Sequence, residues 1–224
     1  MKLKAAIRYQ AVELVQSAVA FCLIVGAIIV AVNLFSFARV AQIVLPSLGF
    51  LPYVLMPLLA LATFSDGVRF LMRMGLTRSQ TIVSSVVSLG AVCLFLAAVE
   101  AACAAFVPFW PLGQSLFLMT YGPQNGPLLD FLFMFLGCAA TAALGLAFAA
   151  LQMRFGTRRV VIVTVAVLIV AASQLSPWAF ADGWTWLFAL APGTSLVNPF
   201  ALFVAVAALG LLAAWAASRR YEVR

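Results

Sequence analysis

From Leu14 to Phe37 the sequence runs without a single charged residue. A helix of about 20 apolar residues, rising 1.5 Å per residue, crosses the hydrocarbon core of a bilayer. Similar runs recur along the 224 residues, and charged residues make up only 8% of the chain, against roughly 25% in a soluble domain. There are too few polar side chains to cover a globule in water. The expected fold is therefore all-α and membrane-embedded: one transmembrane domain over residues 1–224, a bundle of six helices at about 12–35, 40–63, 81–107, 128–152, 160–176 and 198–217. The first apolar run far exceeds the roughly 7–15 residues of a secretion signal's core, so it is expected to stay as a span.

The basic residues orient this bundle by the positive-inside rule. With the N-terminus inside, the cytoplasmic segments hold Lys2, Lys4, Arg8, Arg69, Arg73, Arg78, Arg154, Arg158, Arg159, Arg219, Arg220 and Arg224, and only Arg39 falls outside. A five-span or seven-span reading puts one of these clusters on the wrong face. Both termini are thus expected in the cytoplasm, in a multi-pass protein of a bacterial-type cell membrane. The aromatic residues agree: Trp110, Tyr121, Trp178, Trp184 and Trp186 fall at the outer interface, and Tyr9, Trp215 and Tyr221 at the inner one.

Between the spans the sequence is punctuated. Pro46, Pro52 and Pro57 in span 2 predict a kinked helix packed inside the bundle, where neighbours satisfy the freed carbonyls. Residues 108–127 read as an uncharged outer loop. The stretch 178–197, broken by Asp182-Gly183 and Pro192-Gly193, reads as a re-entrant hairpin on the outer side. Gly137, Thr141, Gly145 and Ala149 form a small-residue stripe on span 4 that permits close helix approach, expected chiefly within one subunit. Ser84 with Ser88 forms a similar stripe on span 3. Cys22, Cys93, Cys103 and Cys138 all lie in apolar runs and read as packing residues, although a Cys103–Cys138 bridge is conceivable.

Ser65–Gln80 is the most charged stretch in the middle of the chain. Ser65 is placed to cap a helix with Asp66 in its first turn. Asp66, Arg69 and Arg73 share a narrow face, opposite Val68, Leu71, Met72 and Gly75, with Phe70 and Met74 flanking. Gly75 ends the helix, and Thr77 with Gln80 makes a capping box for span 3. Two readings fit such a short basic amphipathic helix. It can rest on anionic headgroups, or it can dock into a groove on a soluble partner.

Two acids lie at membrane depth. Glu100 falls about two-thirds of the way across span 3, and Asp130 opens span 4, where it is placed as a cap behind Pro127. An ionisable residue inside a span must face protein or water, so Glu100 reads equally as a pathway or gating group and as a bonded structural one. Arg39 is its nearest candidate partner.

The remaining signal is what the sequence lacks. Without histidine, Ser-His and Cys-His nucleophiles and His-ligated metals are excluded. The only lysines are Lys2 and Lys4, and no GxxxxGK[ST] occurs, so no P-loop ATPase site is present. The chain reads as a non-enzyme that binds no cofactor of its own. Its basic charge orients it in the bilayer; it does not mark a nucleic-acid partner.

On these residues the chain resembles the six-span permease subunits of ABC-2 type exporters, transporters of the type V fold. The stretch Phe70–Arg78, ending Met74-Gly75-Leu76-Thr77-Arg78, is similar to the "lGvTR" segment such permeases carry between spans 2 and 3. The broken outer hairpin and the basic tail Ser218–Arg224 are similar as well. The resemblance implies that Asp66, Arg69, Phe70, Arg73, Met74, Gly75, Leu76, Thr77 and Arg78 form a coupling helix against a separate ABC ATPase subunit, which would hold ATP and Mg. It implies an amphipathic entry helix at about Lys2–Glu13, and a second permease as homodimer or heterodimer. The cargo expected from an uncharged lining is hydrophobic or amphipathic: a drug, a peptide or a lipid-like molecule. The rival readings are the six-span substrate-binding subunit of an energy-coupling-factor vitamin importer, and a non-transporting membrane scaffold or immunity protein.

Overall fold

The computed structural model describes residues 2–37, 48–106, 116–121, 126–174 and 197–219, and all of its regular structure there is helical. Helix α1 is Lys2–Phe37, followed by a 3₁₀ turn at Leu48–Phe50 and α2 at Leu51–Ala62. A π-helical segment, Thr63–Gly67, joins α2 without a break to α3, Val68–Arg73. Then come α4 (Arg78–Phe106), α5 (Leu116–Tyr121), α6 (Gly126–Phe155), α7 (Thr157–Gln174) and α8 (Val197–Arg219).

Four stretches are long and apolar enough to cross a membrane: Leu3–Val32, Arg78–Cys103, Gly126–Phe155 and Pro199–Ser218. They coincide with expected spans 1, 3, 4 and 6. Expected span 2 is represented by α2, a shorter apolar helix, its proposed first part lying outside the described residues. Expected span 5 is represented by α7, whose first turn carries Arg158 and Arg159. The outer hairpin at 178–197, Arg39 and the tail beyond Arg219 also lie outside the described residues.

Helix α6 is the centre of the bundle and packs against α8, α2, α4 and α7. Its small-residue stripe explains why. A Cβ on Gly145 would lie 2.7 Å from Pro57 Cα and 2.8 Å from Pro57 O, so bare backbone meets bare backbone where α2 crosses α6. Gly137 faces the ring of Tyr53 on α2, and Gly210 of α8 abuts the Ala143 backbone. Close approach of this kind gains dispersion contacts that lipid tails cannot match. The stripe thus packs within the chain, as expected.

Several local expectations are corrected. Ser65 does not stand at a helix start, because the helix of α2 runs through it as a π segment. Pro57 inside α2 removes a ladder donor, and the Thr63 hydroxyl donates to the Leu59 carbonyl at 2.6 Å, a back-bond that loosens helices. The segment Lys2–Glu13 forms no separate entry helix but is continuous with the first span. At 1.5 Å per residue α1 is about 54 Å long, well beyond a hydrocarbon core of about 30 Å. Its excess is the polar N-terminal part. Between α4 and α6, in the expected outer loop, lies a short helix, α5, whose Phe117 ring packs 5.3 Å from that of Phe133 of α6. All four cysteines are free, so the Cys103–Cys138 bridge is not formed.

The described basic segments gather at one end of the molecule. Leu3 and Ala6 of α1 pack on Leu71 and on Leu76 behind it. Ser218 of α8 and Met153 of α6 line a cleft with Arg78. α1 and α4 leave this end, whereas α2–α3, α6 and α8 arrive at it.

Candidate functional site

The best-defined feature at the basic end is the reversal between α3 and α4. Gly75 sits at φ +83°, a left-handed conformation that L side chains adopt only with strain. The Gly75 N–H donates to Met72 O at 3.0 Å and the Leu76 N–H to Leu71 O at 3.2 Å. These are the paired bonds of a Schellman stop, and Leu71 and Leu76 supply its apolar contact. Two residues later α4 is capped reciprocally. The Thr77 N–H donates to Gln80 Oε1 at 3.1 Å and the Gln80 N–H to Thr77 Oγ1 at 3.4 Å. The expected helix stop and capping box are both present. Together with the Met74 N–H, which donates to Phe70 O at 3.1 Å, four successive N–H groups from Met74 to Thr77 are hydrogen-bonded, and the turn is held at both ends.

Of the residues expected to meet a partner, Phe70, Arg73, Met74, Gly75, Thr77 and Arg78 are exposed. Leu76 is instead turned inward, against Ala6 and Leu71, and belongs to the support of the turn. The side chains of Asp66 and Arg69 lie outside the described ones. Beside the turn a cleft of about 720 Å³ opens between Met72, Thr77, Arg78 and Ser79 on one side and Trp215 and Ser218 of α8 on the other.

Support for α3 comes from α1. Tyr9 packs on Phe70 at 5.9 Å between ring centroids. Gln10, only 3% exposed, accepts a 2.5 Å hydrogen bond from Ser84 Oγ, and its amide nitrogen faces Gly67. Ser88 Oγ donates to Ile7 O at 3.3 Å. The serine stripe of span 3 therefore binds the N-terminal part of α1. Sequence reasoning passed over Gln10, although it stands in a legible series: Ala6, Gln10, Leu14 and Ala18, one every four residues, are all buried.

Among the described residues the Gln10 amide nitrogen has no hydrogen-bond partner, which makes the pair asymmetric. Ser84→Ala strands the Gln10 carbonyl oxygen as well and is expected to cost about 1–3 kcal/mol of stability. The double variant Gln10→Leu with Ser84→Ala removes both buried partners and is expected to be near neutral. Unfolding midpoints of the two purified variants check this; equal losses would show that the bond itself, not the stranded group, carries the energy.

The two acids sit away from this end. Asp130, 2% exposed, is no cap: α6 starts at Gly126, so Asp130 is in the second turn and faces the interior. It lies within electrostatic reach of Glu100 and of Tyr53. Glu100 is half-buried and lines a cavity of about 150 Å³ with Cys22 and Gly26 of α1 and Pro52 of α2. Tyr53, which sequence reasoning did not single out, carries a buried hydroxyl without a hydrogen-bond partner among the described residues. The available signal was a polar ring tip within a proline-bearing apolar helix.

The class that this fold defines is a chain helical throughout its described residues, with four helices among them of membrane-spanning length and hydropathy, as in a multi-pass membrane protein. Comparison with family models, with curated proteins and with solved structures gives no match.

Proposed function

We propose that the chain is the membrane-spanning permease subunit of an ABC-2 type exporter, with six spans and both ends cytoplasmic, driven by a separate ATPase subunit. The observation that carries this reading is the turn Arg73–Arg78: exposed apart from Leu76, arginine-bearing and fixed by hydrogen bonds at both ends. A loop that only rests on headgroups gains nothing from such locking, whereas a loop that transmits force requires it. ATP-driven closure of two nucleotide-binding subunits would push on this turn. Because α3 continues α2 and the turn opens directly into α4, the push passes to two helices at once. The path lies between two permease copies, and its apolar lining suits a hydrophobic or amphipathic cargo.

Co-purification with an ABC ATPase subunit, sought first in the neighbouring reading frame, tests the reading. Direct binding that Arg73→Glu weakens about tenfold or more is expected, since the substitution reverses a charge at the contact. Capture only through a separate large scaffold would favour the importer subunit instead. Absence of any ATPase partner would favour the scaffold protein.

A further inference from the structure

A second feature at the basic end is independent of the α3–α4 turn. α6 and α7 meet at Gly156, which adopts φ +86°; its N–H donates to Gln152 O at 2.9 Å, and the Val160 N–H donates to Gly156 O at 3.3 Å. The reversal is sharp, and the two helices leave a trough of about 420 Å³ beside it. Leu151, Phe155, Val160 and Val163 form apolar walls, with Thr164 further along α7, and Arg159 is the one charged residue on the lining. Arg154 is held over the Phe155 ring, 4.8 Å from its centroid, and Arg158 and Arg159 are exposed. No acidic residue occurs between Arg154 and Gln174.

We propose that this trough binds one anionic phospholipid, an acyl chain lying between α6 and α7 and the phosphate held by Arg158 and Arg159. The match is one of chemistry at each end. An apolar trough beside α6, a helix of membrane-spanning length, takes a hydrocarbon chain, and exposed guanidinium groups at the basic end donate charge-assisted hydrogen bonds to a phosphate. A purely electrostatic anion site needs no apolar trough, and a purely annular lipid needs no arginine pair. The trough also gives α7 a packing partner along a face where Val163 is exposed.

Native mass spectrometry of the full chain, released from detergent in the presence of phosphatidylglycerol or phosphatidylcholine of identical acyl chains, tests this. One phosphatidylglycerol is expected to be retained, in preference to phosphatidylcholine. Each arginine contributes about fivefold, so Arg158→Gln with Arg159→Gln removes a preference of about twenty-five-fold. Val163→Trp, which fills the trough and leaves both arginines, is expected to abolish retention; Leu151→Trp fills it from the α6 side should the first variant fail to fold. Equal retention of the two lipids overturns the proposal. So does binding that survives both tryptophan variants, which would mark a headgroup surface, or displacement by millimolar inorganic phosphate, which would mark a free-anion site. A dimer that Val163→Trp dissociates without any dependence on lipid would show that a second copy fills the trough, and would overturn it too.

Discussion

Gly145→Leu is expected to break the contact between α2 and α6 and to cause a large loss of folded protein. Even a single added Cβ would stand 2.7 Å and 2.8 Å from Pro57 backbone atoms and 2.9 Å from Ala60 Cβ. None of the three can swing aside, because two are main chain and the third is fixed to it. Overpacking of this kind costs typically about 1–3 kcal/mol for small insertions; alanine falls within that range and leucine exceeds it. The effect reaches beyond one contact, since α2 continues through the π segment into α3 and the turn at Gly75. Gly26→Ala supplies the control: a Cβ there meets nothing within 4 Å, and alanine is the better helix former by about 1 kcal/mol. Unfolding midpoints and monodispersity of the purified variants check the pair. Equal stability of Gly145→Leu and Gly26→Ala would mean that α2 and α6 do not approach as closely as described.

Gly75→Pro is expected to dismantle the α3–α4 turn while the bundle remains inserted. Proline fixes φ near −65° and has no N–H, whereas Gly75 requires φ +83° and donates to Met72 O. It also disfavours the near-helical conformation of the preceding residue, which Met74 holds at φ −79°, ψ 2°. The Leu76-to-Leu71 bond and the apolar contact behind it are lost together, a local cost of about 3 kcal/mol. Gly75→Ala retains the N–H and suffers only the left-handed strain, about 1–2 kcal/mol. Hydrogen exchange over residues 68–81 should accelerate strongly in the proline variant and modestly in the alanine variant, with residues 84–100 unchanged. Under the proposed function, ATP hydrolysis in the proline variant should no longer be tied to transport. Unaltered exchange in Gly75→Pro would show that the turn is held by something other than these bonds.

The helix ends were legible because their determinants are local. Gly75, Thr77 and Gln80 act within a few residues of themselves, so the stop and the capping box could be placed from the order of residues alone. The start of the same helix could not. Ser65 and Asp66 look like a cap, yet the helical column from Leu51 to Arg73 is unbroken. A capping residue terminates a helix only when the preceding chain turns away, and here the preceding turns are tied down by packing on α6. Asp130 misled for a similar reason: a carboxylate near a helix start suggests a cap, but burial of that face is decided by what lies across from it. Gln10 shows the reverse, a residue made important by Ser84, its neighbour across α1 and α4 but distant in the chain.

By itself the sequence determined that this protein is all-helical and apolar at membrane-spanning length. It also placed α1, α4, α6 and α8 and located the sharp reversal at Gly75. Those properties follow from hydropathy, periodicity and backbone stereochemistry, which act over a single turn or a single helix. Only the tertiary structure decided that α6 is the hub, that Gly145 is where α2 touches it, and that α1 supports α3. It alone decided that Leu76 faces inward and that a trough opens between α6 and α7. These depend on which faces of separate helices meet, and in a chain this apolar nearly every face is greasy enough to do so. Close fit of small residues and a few buried hydrogen bonds, not hydrophobicity, select among them.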